Sequence, residues 1–182
     1  IYDFTVNKPS GTFTYSAGFT ASASTNNLSI SNDFRLVDGT VTFGTNHWIE
    51  IDQSANWEGG TFTNQSNKII VGTGNATGSW LNDISLTFTA FEKIGTGSIT
   101  LMKDSAGSFD LGTLTNSAGS LNLDKTVTAT PTIASGSTMC LRVAAELNLS
   151  GTLTVNGSFH ALGLAGSRVT VQSSSASFRT VT

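Results

Sequence analysis

Between His47 and Glu58 the chain reads HWIEIDQSANWE, its densest run of aromatic, acidic and imidazole side chains. On an extended backbone successive side chains face opposite ways, so Trp48, Glu50 and Asp52 fall on one face and His47, Ile49 and Ile51 on the other. That grouping suits a saccharide: an indole stacks on a sugar ring while carboxylates accept hydrogen bonds from its hydroxyls. Trp57 and Trp80 are expected near the same face. Two carboxylates two residues apart also fall near the separation that glycoside hydrolysis uses. Any solvated strand offers that spacing, however. The plainer reading has Ile49 and Ile51 filling a core while Glu50 and Asp52 keep the exterior soluble, and no catalytic residue is assigned.

Other constellations carry less chemistry. VGTGNATG over 71–78 has the glycines of a phosphate loop but lacks both the Lys-Ser/Thr pair and a following helix, so it reads as a turn. Asp104 and Asp110 flank a Gly-Ser turn without the spacing of a calcium loop, and no metal or cofactor is expected. The single Cys140 rules out an internal disulfide. It alternates with Met139, Leu141 and Val143, as a small half-buried strand residue would, and neither His47 nor His160 is near it in sequence to serve as a base. Five N-x-S/T acceptors, Asn27, Asn64, Asn75, Asn148 and Asn156, are surface glycosylation sites if the host has that pathway.

The elements that must carry these residues are announced by a returning phrase: Gly, then Thr or Ser, an apolar residue, and a polar one. It begins at Gly11, Gly39, Gly60, Gly97, Gly112, Gly119 and Gly151. A turn residue followed by two-residue alternation is the signature of a half-buried strand. Strands are expected over 2–6, 12–15, 28–31, 34–37, 40–43, 48–51, 61–63, 68–71, 85–91, 98–102, 108–111 and 120–123. Further ones are expected over 126–130, 139–143, 146–149, 152–155, 168–172 and 177–181, with no helix. The apolar members Phe4, Phe43, Phe62, Ile70, Phe88, Ile99, Leu114, Leu121, Leu153 and Val169 are the expected core.

Composition narrows the class. Charged residues are 12 % of the chain against about a quarter in typical domains, and Ser, Thr, Asn and Gly replace them. Hydrophobic residues reach 38 %, eleven of them Phe, and the net charge is only −3, so the chain is not of a disordered type. Nine scattered basic residues make no nucleic-acid footprint, and no apolar run is long enough to cross a bilayer. Strand-like sequence stands at both extremes, which suggests a segment of a longer chain or a subunit whose ends are covered by neighbours.

Two architectures fit: a β-sandwich or jelly roll with hairpin turns, and a β-solenoid turning through Gly, Asn and Ser corners. The phrase starts lie 28, 21, 37, 15, 7 and 32 residues apart, which excludes a regular short repeat but admits irregular coils of about 20–30 residues. IYDFTVNKPSGTFTYSAGF, LSISNDFRLVDGTVTFGTNHWIEI, WEGGTFTNQSNKIIVGTG and LSGTLTVNGSF resemble secreted β-solenoid proteins of bacteria and phages. Filamentous-haemagglutinin-like adhesins, autotransporter passengers and tail-fibre segments share this pattern over most of the chain.

The resemblance implies a single all-β module, an irregular right-handed β-solenoid. It would be extracellular or virion-borne and would serve as a structural or adhesive part of a filament, stalk or fibre. Its partners would be further copies or neighbouring subunits joined through the terminal strands, together with surface glycans. The rival reading is a polysaccharide-degrading spike enzyme. A further alternative, drawn from the many T-x-T pairs (12/14, 40/42, 61/63 and others), is an ice-binding solenoid. The irregular intervals count against it.

Overall fold

A computed structural model of the chain describes residues 1–15, 27–43, 48–64, 68–72, 77–82, 85–101, 109–175 and 182. Among them all regular structure is strand. In chain order the strands are β1 (Phe4–Tyr15), β2 (Asn27–Ile30), β3 (Asp33–Phe43), β4 (Trp48–Ile51), β5 (Ser54–Trp57), β6 (Thr61–Asn64), β7 (Lys68–Val71), β8 (Gly78–Asn82), β9 (Leu86–Thr87) and β10 (Ala90–Lys93). There follow β11 (Ser98–Leu101), β12 (Phe109–Asn116), β13 (Ser120–Leu123), β14 (Thr126–Ile133), β15 (Thr138–Leu141), β16 (Glu146–Leu149), β17 (Thr154–Val155), β18 (Ser158–Ala161) and β19 (Thr170–Ser173).

Every pairing between these strands is parallel, which hairpins cannot produce and stacked coils must. The chain is a β-solenoid, and the sandwich alternative falls. In one column Phe4, Phe34, Ala55, Trp80, Leu101, Leu123, Leu141 and Ala161 lie in successive register. The coil therefore advances by 30, 21, 25, 21, 22, 18 and 20 residues. A second column stacks the later part of β1 on the later part of β3 and then β6. Further along the stack its counterpart runs through β9, the start of β12, the start of β14, β16 and β19. A third runs through β2, β4, β7, β10, the end of β12, the end of β14 and β17.

Alternation decides what each column buries. Outward and inward residues trade places along β11, β13, β14, β15 and β16, where every second side chain is buried. Aromatic rings fill one part of the interior: Phe34 lies 4.5 Å from Trp57, Trp57 4.8 Å from Phe62, and Trp80 5.4 Å from Phe91. Leu121, Leu123, Val127, Met139, Leu141 and Leu147 continue the same interior with aliphatic side chains.

Phe43, Phe88, Ile99, Leu114, Leu121 and Leu153 are buried as expected, and Phe4, Phe62 and Val169 pack half-buried against the core. Ile70 is a correction. In KIIV the buried positions are Ile69 and Val71, so Ile70 stands on the outer face, in register with Glu50 and Glu92. Two neighbouring apolar residues could claim the interior, and the register of β4 and β10 gives it to Ile69.

Several expected turns lie inside strands instead. Asp38-Gly39 bends β3 without breaking it, and β1 runs on past Pro9 with register shifts between Val6 and Thr12. Gly39 is required there: its φ is +98°, and a Cβ would meet the Lys8 carbonyl oxygen at 2.5 Å. Strands β5, β8 and β18 were not anticipated. The expected strand over 177–181 lies outside the described residues.

Candidate functional site

The sequence-derived saccharide face does not assemble as expected. Glu50 stands on the outer face of β4, half-buried, in register with Ser29 on one side and Ile70 on the other. Asp52 comes after the last residue of β4. Its N–H donates to the Ile30 carbonyl at 2.9 Å, extending the ladder by one bond as the chain enters a bend, and it is half-buried. Trp57 and Trp80 are fully buried, and this corrects their expected place beside a ligand. Both occupy inward positions, Trp57 on β5 and Trp80 on β8, with ring centroids 6.0 Å apart. An indole inside the core cannot stack on a sugar. The backbone of Trp48 pairs with Asn27; the Trp48 side chain and His47 lie outside the described residues.

The glycosylation acceptors divide similarly. Asn75 and the side chains of Asn27 and Asn64 lie outside the described residues. Asn148 is half-buried on β16, where its Oδ1 accepts from Gln172 Nε2 at 2.9 Å. The same amide nitrogen donates to Glu146 Oε1 at 2.8 Å, tying two rungs together. Asn156 is exposed at the corner after β17.

The most unusual chemistry is inside. One inward column of the third face reads Ile30, Ile51, Val71, Lys93, Asn116, Ile133 and Val155. Lys93 and Asn116 are both fully buried. Lys93 Nζ donates to the carbonyl oxygens of Ile94 at 3.2 Å, Gly95 at 2.5 Å and Ala118 at 3.0 Å, filling its three donor positions. Asn116 Nδ2 donates to Thr138 O at 2.7 Å, while its Oδ1 is buried without a partner. Ser137 Oγ, also buried, lies 2.8 Å from Asn116 O and 2.7 Å from Ala134 O. Burial pushes the Lys93 ammonium below the usual lysine range. The sequence held a signal for it: in AFEK, Phe91 is inward and Lys93 shares its phase.

Parallel register also joins residues that sequence distance separates. Cys140 on β15 pairs with His160 on β18, and with Asn122 on β13 on its other side. The thiol is half-buried, and burial raises its pKa more than the nearby Arg142 lowers it, with Asp124 adding to the rise. Arg142 Nε meets Asp124 at 3.3 Å beside a shallow depression lined also by Lys125 and Val143. On the first face Arg35 binds Glu58 through both carboxylate oxygens, at 2.5 and 2.9 Å, and Asn56 Nδ2 adds a third hydrogen bond at 2.7 Å. Arg35 holds the Glu58 carboxyl below the usual range.

Most of the exterior is made of neutral ladders. Asn122 Nδ2 donates to Ser98 Oγ and Thr100 Oγ1, and Thr130 and Ser150 hydroxyls lie 3.1 Å apart. Threonines stack on threonines across the strands: Thr12, Thr40 and Thr61 in one line, Thr14, Thr42 and Thr63 in the next. Among the described residues no three His, Cys, Asp or Glu side chains come together to hold a metal ion. Comparison with protein-family models, curated proteins and solved structures returned no match.

Proposed function

We propose that this chain is a structural module of an extracellular filament, adhesin stalk or phage fibre, whose end rungs are covered by neighbouring polypeptide of the same strand type. The observation that carries this reading is the contrast between the middle of the stack and its ends. Most inward side chains of the middle rungs are fully buried, with Phe62 half-buried, and in the first rung Val6, Leu28 and Ile30 are buried too. In the rung of β18 and β19, Leu162, Leu164 and Val171 are 55 %, 65 % and 40 % exposed, and at the other end Ile1 and Tyr2 are 61 % and 68 % exposed. Among the described residues β1 and β18 are the outermost strands of one sheet, β2 and β19 those of the other. At β2 the outer edge is partly taken, since the Ile1 ammonium donates to the Ser29 carbonyl at 3.0 Å and the Ser31 N–H to the Ile1 carbonyl at 2.8 Å; an edge strand otherwise presents backbone N–H and C=O groups that a further parallel strand satisfies. A heterologous contact of this kind builds a fibre wherever its rotation does not close into a ring.

The mechanism is mechanical. Stability sums over neighbouring rungs, and the Thr/Ser/Asn exterior is what the module presents to a cell surface or its glycans. Sedimentation and hydrogen exchange on the 182 residues test the proposal. Self-association, with the amides of β1 and β18 protected only in the assembled form, is the expected result. A stable monomer with both end rungs strongly protected would overturn it.

A further inference from the structure

The T-x-T pairs are unevenly spaced along the chain, yet three of them come into register on consecutive rungs. Thr12 pairs with Thr40 and Thr40 with Thr61; Thr14 pairs with Thr42 and Thr42 with Thr63. Between them Val41 is buried, and Phe13 and Phe62 pack against the core, so the six threonines face outward as a grid of two columns and three rows. Those of the outer rungs are exposed and those of the middle rung half-exposed.

The dimensions follow from strand geometry. Rows lie about 4.8 Å apart across the strands, and columns about 6.6 Å apart along them. Threonine is restricted at χ1, which limits how far its methyl and hydroxyl groups must be ordered when a ligand arrives. The six positions are all threonine, and among the described residues the charged Lys8 side chain lies against the grid's border, over Gly11 beside Thr12. Gly39 and Gly60 stack at the corner before the strands, where a Cβ on Gly60 would meet the Gly39 carbonyl oxygen. That close approach sets the second and third rungs to begin in line.

We infer that this face binds ice. A water lattice is a ligand whose own repeat answers to rows of neutral hydroxyl and methyl groups at two fixed spacings. A saccharide would call for ring platforms or charged acceptors, and an ionic ligand for counter-charges; the grid has neither. A smaller patch on the third column repeats the pattern: Thr113 and Thr115 pair with Thr130 and Thr132, and Thr132 with Thr154. This site does not rest on the filament reading, since it uses outward side chains and not the open backbone edges, although Thr12 and Thr14 lie on the end strand β1.

The test is ice-affinity partitioning and thermal hysteresis on the 182-residue chain, with Thr42→Lys at the grid's centre and Ser158→Lys on another face as control. Wild type and Ser158→Lys are expected to enter the ice and depress the freezing point, and Thr42→Lys to lose both effects with an unchanged circular dichroism spectrum. Thr14→Lys, on the outermost rung, repeats the test where no further rung of the grid packs against the change. Wild-type protein that stays in the liquid, or lysine variants that enter ice as well as wild type, would overturn the assignment.

Discussion

Lys93 is a charge placed in an inward column whose other members, apart from Asn116 beside it, are Ile and Val, and only backbone carbonyls receive it. Breaking such an arrangement from one side strands buried acceptors, whereas an apolar side chain of similar length removes the desolvation cost with the charge. Lys93→Met should therefore cost less stability than Lys93→Ala, which also opens a cavity. The pH dependence has a definite sign. Because burial lowers the folded-state pKa, the unfolded chain binds more protons between that lowered value and the ordinary lysine range, and stability rises with pH across that window. Cys140 opposes this at alkaline pH: its raised folded-state pKa contributes stability that is lost as pH rises through it. The difference in urea midpoint between wild type and Lys93→Met isolates the lysine, and that difference should shift in favour of wild type as pH rises toward the ordinary lysine range. A difference independent of pH would show that Lys93 does not carry the effect.

At the scale of single elements, the returning Gly-Thr phrase marks corners, not a fixed place on the coil. Gly11, Gly39 and Gly60 precede strand segments of the second column; Gly97 and Gly119 precede β11 and β13 in the first; Gly112 precedes the third-column part of β12. The phrase spacing looks erratic because it counts from one corner to a different one, while the coil itself, after its first long step, advances by 18 to 25 residues. A corner glycine is needed where backbones stack closely. Gly60 has φ +74°, and a Cβ there would come within 2.3 Å of the Gly39 carbonyl oxygen. Gly60→Ala should lower stability by at least about 1–3 kcal/mol from the backbone conformation alone, measured by urea denaturation. Gly136, also at positive φ but with open space around its Cβ position, should lose less on the same change.

Over the whole molecule, the same kind of substitution should have a cost set by its distance from the ends. Leu123 is buried in β13, with paired strands on both sides. Leu123→Ala is expected to cost about 2–5 kcal/mol through lost burial and the cavity left behind. Val171 belongs to the last strand of its sheet and is 40 % exposed. Val171→Ala should stay within about 0.5 kcal/mol in the monomer, as surface changes do. In an assembly that covers this rung, the cost of Val171→Ala should grow, and denaturation at low and high protein concentration reads that difference directly.

Two-residue alternation, corner glycines and a neutral polar exterior are local properties, and they were enough to specify strands and most of the inward set; they left sandwich and solenoid both open, and the solenoid came from the resemblance. Where alternation was unambiguous, as at Ile99, Leu114 and Leu121, burial followed. It failed at Ile70, where two adjacent apolar residues left the phase open, and at Trp57 and Trp80, whose size and polar edge suggested a ligand platform while their strands β5 and β8 went unread. Partnerships across rungs were decided only by tertiary structure. Cys140 meets His160, Lys93 meets Asn116, and Thr12, Thr40 and Thr61 form one line because each coil's length sets which residues lie over one another. That length is the sum of three strands and three corners, so an insertion in any corner shifts every later residue along the chain yet leaves the register of the stacked strands intact. Local pattern contains no such sum, and hydrogen bonding between rungs performs it.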